Sequence, residues 1–392
     1  MTSRRGAAIV VLVVLAGALL ARLLSTGTAI CSPKPGVAYT GRVGVVVSDN
    51  LYESPERQIE AGLAQVRAGG VSWIREDLTW AVAEPTPGVF DWAPFDRLMA
   101  AAAGARVHVL GILDYSAPWA SSDPSGSGDP LYPPNNDSEF AAYAAAVAAR
   151  YGSRGSFWAE HLDVTPDPLT AVEIWNEPYG SWDWASGPSA TAYAALVSQA
   201  APAIHAVDPR IAVLMSGDLM SWDYAATPQH QPWLERLLAA APAVTKLVNG
   251  LDVHPYPSPE NLGPDVDRGE IANLFGRVSR IRQLELAAGV NLPIWITEIG
   301  WSTAPDTAQA VSDPTQASYL CEAVQRSLGE WGSFVPKIFV FGWFRASGRR
   351  GDLAGNFGLL DRTGAPTPAW IAIAHLLGGK PGTRDVSVPA VT

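Results

Sequence analysis

Eight times along the chain a short, mostly apolar run with β-branched residues is followed by a longer stretch rich in alanine and leucine at helical spacing. The apolar runs cover residues 42–47, 71–75, 106–112, 171–175, 211–215, 250–254, 293–297 and 337–341. The helical stretches cover 55–68, 95–103, 138–151, 190–206, 232–240, 270–288, 315–330 and 368–377. Strands that are apolar at consecutive positions are buried on both faces, the condition of a parallel sheet jacketed by helices. Eight such units without a second domain predict an α/β fold closed into a (β/α)8 TIM barrel, which holds about 250 residues or more as one unit. An open doubly wound sheet is the rival. It is weakened at the first turn, where Val47-Ser48-Asp49-Asn50 stands in place of a glycine-rich phosphate loop.

Composition narrows the function. Of the 392 residues, 48% are hydrophobic and 17% charged, ample for a large core. The net charge of −11 lacks the basic face that a nucleic acid or an anionic membrane surface requires. No Gly-x-Ser-x-Gly elbow is present, against a serine hydrolase. The histidines do not recur at metal-ligand spacing, so no metal and no organic cofactor are expected. Cys31 and Cys321 are the only cysteines and form neither a disulfide framework nor a zinc pattern. Cys321, on an amphipathic stretch, is expected to be a buried, inert thiol.

Residues 1–29 read as a targeting segment. Arg4 and Arg5 precede an apolar run over 6–21, Arg22 interrupts it, and Gly27-Thr28-Ala29 offers small residues for cleavage. A cleaved signal peptide is the first reading, and an uncleaved N-terminal membrane tether is the rival. Lipid attachment at Cys31 is opposed by Ile30, which stands where a small residue is wanted. Either reading makes the protein secreted or extracytoplasmic. The expected plan is then a linker over 30–40, a barrel over 41–380 and a tail over 381–392.

In a barrel the loops that leave the strand C-termini carry function. The longest, 114–137, brings Asp114, Tyr115, Trp119 and Tyr132 and is expected to shape a substrate cleft; the plainer alternative is that Trp119 only ties the loop down. Two carboxylates stand at strand ends. Glu177 closes the run Glu173-Ile174-Trp175-Asn176-Glu177-Pro178, and Glu298 lies in Thr297-Glu298-Ile299-Gly300-Trp301. Strands four and seven of a barrel can present such a pair across its mouth. Cleavage of a glycosidic bond needs this equipment: one carboxylic acid to protonate the leaving oxygen and a second carboxylate as nucleophile or base.

With those residues in view, the chain resembles the clan of retaining glycoside hydrolases whose acid/base and nucleophile follow strands four and seven, and family 39 more than family 5. The resemblance runs from about 41 to 377. It rests on Trp73-Ile74-Arg75, Trp80 and the stretch 84–92 near strand two, similar to families 39 and 42. It rests also on Trp175-Asn176-Glu177-Pro178, His254-Pro255-Tyr256, Thr297-Glu298-Ile299-Gly300-Trp301, and Phe341-Gly342-Trp343 with the segments 356–361 and 368–370. It implies Glu177 as acid/base and Glu298 as nucleophile, with an oligo- or polysaccharide as substrate. It further implies that Asn176 bonds the sugar 2-hydroxyl, Arg75 pairs with and orients Glu298, Tyr256 donates to Glu298, and Trp343 forms a floor under the reacting sugar. His254 would line the same wall or serve as a structural histidine. One departure stands out. Many members of the clan carry a histidine after strand three, where this chain has Leu113-Asp114-Tyr115-Ser116, so Asp114 and Tyr115 are expected to serve the subsite instead. A transglycosidase using the same two glutamates and a non-catalytic sugar-binding barrel are the alternatives.

Overall fold

Side chains of a strand point alternately to its two faces, and here that alternation separates the barrel's interior from its helical jacket. The computed structural model describes residues 31–47, 51–219, 232–266, 274–345 and 351–382. Eight strands, β1 (Val43–Val46), β2 (Trp73–Asp77), β3 (His108–Leu113), β4 (Ala171–Ile174), β5 (Ala212–Ser216), β6 (Gly250–Val253), β7 (Ile294–Ile299) and β8 (Ile338–Phe341), follow one another around a closed barrel. All neighbours are parallel, and β8 returns to β1. The jacket consists of α1 (Glu56–Ala68), α2 (Ala93–Ala105), α3 (Asp137–Tyr151), α4 (Ala190–Val207), α5 (Trp233–Ala240), α6 (Arg277–Ala287), α7 (Asp313–Gly329) and α8 (Pro368–Leu376). Each apolar run of the sequence forms a strand at or within two residues of the expected place. The segment 1–29, the turn at 48–50, the start of the helix expected at 270 and most of the tail lie outside the described residues.

Outward residues such as Val45, Ile74, Val172, Val213, Ile296 and Val340 join the large core between sheet and helices. Inward residues Val46, Trp73, Leu110, Ala171, Leu214, Trp295 and Phe339 form a separate plug inside the barrel. The plug is closed from below by Lys337, whose ammonium lies 4.2 Å from the Trp73 ring and donates to Gly41 O. Gly44 is needed for this packing, since a Cβ there would run into the Phe339 ring.

The expectation for the cysteines is overturned. Cys31 and Cys321 form a disulfide with Cα atoms 5.7 Å apart, joining residues 290 apart in the chain. Neither the inert thiol nor a loose linker describes this end of the protein. Cys31 and Tyr39 are buried in the outer core, Gln325 donates to Ser32 O, and His375 bonds Cys31 O. Two cysteines 290 apart carry no pairing signal of their own; only barrel closure brings α7 beside the start of β1. Among the described residues no helix is long and apolar enough to cross a membrane.

Candidate active site

The interior plug ends where the inward positions turn polar. One inward step beyond Trp73, Ala171 and Trp295 stand Arg75, Glu173 and Thr297. Two local irregularities then bring the carboxylates to the mouth. On β7 the register to β8 advances three residues, from Ile296 to Ile299, while β8 advances two, from Ile338 to Val340. This bulge turns consecutive residues, Thr297 and Glu298, toward the axis, while Ile296 and Ile299 stay in the jacket. After β4 the backbone takes positive φ at Trp175 (65°) and Glu177 (38°). The first of these buries Trp175 outward against Tyr115 and Trp184. Such conformations cost on the order of 1–3 kcal/mol each and persist where surrounding contacts over-determine them. Here the Trp175 indole donates to Asp183 O at 2.7 Å.

Arg75 is the hub. It is 1% exposed and donates through Nε and Nη2 to Glu173 Oε2 (2.9 and 2.7 Å), through Nη1 to Glu298 Oε1 (2.5 Å), and through Nη2 to Asn176 Oδ1 (2.8 Å). Tyr256 donates to Glu298 Oε2 at 2.9 Å. Burial first, then the charge of Glu298, pushes the Tyr256 phenol up, so it remains a donor. His254 sits between the two glutamates. Its Nδ1 is 2.8 Å from Glu177 Oε1 and 3.7 Å from Glu298 Oε2, and its Nε2 is 3.1 Å from Thr297 Oγ1. One oxygen of Glu177 and one of Glu298 lie within 4.8 Å of each other and of a His254 nitrogen.

Charge is distributed unevenly. Burial works against ionisation of His254, but the charge of Glu298 and the hydrogen bond that the imidazole donates to Glu177 outweigh it and raise the imidazole to about 9. Burial also opposes the Glu177 carboxylate, yet hydrogen bonds from His254, Trp182 and Tyr179 outweigh that and hold it at about 2. The Trp182 indole donates to Glu177 Oε2 at 2.6 Å and the Tyr179 hydroxyl to Oε1 at 2.8 Å. Glu173, Asp252 and His254 also bring oxygens and nitrogens within 4.8 Å. The guanidinium of Arg75 reaches into both groupings, so each already contains a cation.

Beside Glu298 opens a cavity of about 140 Å³, lined among others by Val46, Arg75, Asp77, Tyr115, Asn176 and Phe341. Three expectations for the sugar-binding wall fail. Trp343 does not reach the cavity; it is 2% exposed and packs against Trp370 at 4.9 Å. Phe339 and Phe341 point inward, but Gly342 at φ 87° breaks the alternation and sends Trp343 into the jacket, leaving Phe341 at the mouth. Trp119 packs edge-on against Trp80 and donates to Glu84 O, so it ties the long loop to the barrel. Asp114 is fully buried, its carboxyl interacting with Asp77 rather than facing the cavity. Burial first and then the Asp77 charge push the Asp114 carboxyl up, while burial raises Asp77 to about 6.

Sequence reasoning missed Glu173, Asp77, Thr297, Tyr179, Trp182, Asp183 and Phe341. A carboxylate inside an otherwise apolar strand was a usable signal for Glu173. Asp183 accepts from Asn176 Nδ2 at 2.8 Å and fixes that amide, and burial followed by the Glu177 charge lifts Asp183 to about 7. It lies in the loop 178–188, whose length alone marked it.

The solved structures that this chain resembles in fold include glycoside hydrolases. A family 39 glycoside hydrolase from the gut symbiont Bacteroides cellulosilyticus superposes with a TM-score of 0.60 at 20% identity, over 88% of this chain and 65% of that one. An exo-beta-1,4-mannosidase from an Opitutaceae bacterium gives 0.56 at 16% identity, over 88% and 60%. The intracellular xylanase of Thermoanaerobacterium saccharolyticum gives 0.53 at 16%, over 85% and 94%. The chain thus spans under two thirds of the length of the first two. No protein-family model and no curated protein matches it.

Proposed function

We propose that the protein hydrolyses O-glycosidic bonds in an extracellular oligo- or polysaccharide by a retaining double displacement. The observation that carries this reading is the approach of the Glu177 and Glu298 oxygens to within 4.8 Å across the barrel mouth. Retaining enzymes hold their two carboxyl groups ~5–5.5 Å apart, whereas inverting ones leave ~6.5–9.5 Å for a water.

Glu298, gripped by Arg75 and Tyr256, attacks the anomeric carbon; the glycosidic C–O bond breaks, and the proton of the Glu177–His254 pair passes to the leaving oxygen through Glu177. Before substrate arrives the pair favours the proton on the imidazole, since Glu177 is held down and His254 raised. A glycosidic oxygen at Glu177 displaces the exposed Trp182 donor and draws the proton onto the carboxyl. Water, deprotonated by Glu177, then attacks the glycosyl ester and frees Glu298. Asn176, held by Arg75 and Asp183, faces the cavity where the 2-hydroxyl would lie.

Export through the N-terminal segment is part of the proposal. The Cys31–Cys321 disulfide supports it, because disulfides persist in oxidising compartments outside the cytoplasm. The test is a screen of polysaccharides and p-nitrophenyl glycosides, with the anomer of the first product read by proton NMR. Retention of configuration is expected. Inversion, or turnover unchanged in Glu298→Gln, would overturn the mechanism.

A further inference from the structure

Asp218, just past β5, and Arg277, the first residue of α6, form an ion pair with both side chains fully buried. Neither touches the Glu177–Glu298 pair. Arg277 Nε and Nη2 donate to Asp218 Oδ1 and Oδ2 at 2.8 and 3.2 Å. Three further bonds reach His254 and Tyr256. Arg277 Nη2 donates to His254 O at 2.5 Å, Arg277 Nη1 donates to Tyr256 O at 2.6 Å, and His254 N donates to Asp218 Oδ2 at 2.9 Å. We propose that Asp218 and Arg277 are positioning residues that clamp the segment His254-Pro255-Tyr256, and through it set where the imidazole meets Glu177 and the phenol meets Glu298.

The physical need is local. β6 ends at Val253, so the backbone beyond it leaves the ladder, and its buried polar groups require partners. Pro255 offers no N–H. The segment presents one donor and two acceptors at different angles. A carboxylate and a planar guanidinium locked to each other supply one acceptor and two donors in a rigid fork. Both functional contacts hang from this short piece: His254 Nδ1 to Glu177 at 2.8 Å and Tyr256 OH to Glu298 at 2.9 Å. A shift of the segment therefore disturbs both carboxylates together. β5 and α6 thereby act on the site without placing a group beside the Glu177–Glu298 pair.

The inference rests on the glycosidase reading for its kinetic arm only. Removing one member of a buried pair strands a charge, so the informative variant removes both: Arg277→Met with Asp218→Leu, an apolar replacement that buried ion pairs often tolerate. Two readouts are taken on the full chain. The first is the pH titration of the His254 ring by NMR with labelled histidine. Groups facing that ring are Arg75 on β2, Glu173 on β4, Glu177, Asp252 on β6 and Glu298 on β7, and the variant leaves all of them in place. The second is kcat and KM on p-nitrophenyl β-mannoside and β-xyloside. The midpoint is expected to fall from about 9 toward 6.5, and kcat to drop roughly 10- to 100-fold with KM little changed, as for a small misplacement of catalytic groups. A folded double variant with the wild-type titration overturns the proposal. If the double variant does not fold, Arg277→Lys, which keeps the charge and loses the fork, is read by the same assays with the same two outcomes. Should the wild type cleave neither glycoside, the NMR arm still decides on the clamp, and the failure belongs to the substrate reading.

Discussion

The barrel interior has two storeys built by the same strands. In the lower storey Trp73, Ala171, Trp295 and Phe339 pack as an apolar plug; one inward step higher stand Arg75, Glu173, Thr297 with Glu298, and Phe341. The lower storey is held by burial, which is additive and tolerant. The upper one is held by directional bonds among charges, each of which depends on its neighbours. Substitutions in the two storeys should therefore fail in different ways: the lower loses stability at constant chemistry, whereas the upper loses chemistry first and stability only through the charge or hydrogen bond left unpaired.

The largest expected effect is in the upper storey. Glu298→Gln should reduce turnover by roughly 10⁴-fold or more while melting stays close to wild type, as measured by kinetics and calorimetry. Glu177→Ala should be less damaging on substrates with good leaving groups, which need no protonation; equal losses on p-nitrophenyl and unactivated glycosides would contradict the acid/base role. In the lower storey, Trp73→Ala should cost about 3–5 kcal/mol of stability, as for other buried aromatics. The kcat of whatever remains folded should be unchanged, and a matching collapse of kcat would erase the distinction between storeys.

A smaller effect tests the outermost brace. Cys321→Ser should lower stability by about 2–4 kcal/mol without altering kcat, and the same fall should follow reduction of the wild type. The upper storey also has a pH signature. His254 is raised in the folded state from 6.5 to about 9, so its contribution is complete below pH 6.5 and lost as pH rises through 9. The melting temperature of the wild type should decline between pH 7 and 9, and that decline should vanish in His254→Gln. The smallest expected change is in Trp182→Phe. It keeps an aromatic ring beside the mouth but removes one donor from Glu177, so the Glu177 carboxyl should move up and kcat change only a few-fold, roughly the value of one hydrogen bond to a charged group. A loss as large as that of Glu177→Ala would mean that Trp182 does more than tune.

The lower storey and the jacket were legible in the sequence because burial leaves a periodic trace. Short, largely apolar runs with β-branched residues marked the strands, and longer stretches rich in alanine and leucine marked the helices. The two glutamates were legible because each stands at the end of such a run. The wall around them was less so. Trp343 and Trp119 carry the residue type of a sugar platform, yet one is turned outward by Gly342 and the other is spent on Trp80 and Glu84. Asp183, Trp182 and Tyr179 lie in a loop with no period to read.

The sequence by itself therefore determined the number and order of the βα units, the closed barrel, and the strand ends at which charged chemistry could appear. Those are properties of residues near one another along the chain. The tertiary structure alone decided that Cys31 meets Cys321, that a bulge brings Thr297 and Glu298 inward together, that His254 bridges two glutamates, and that Asp218 and Arg277 grip the segment between them. Each of these contacts joins residues that are distant in sequence or depends on a single break in strand alternation. Only closure of the barrel gives them a common place, because the hydrogen-bond geometry of charged groups is set by the backbone that carries them.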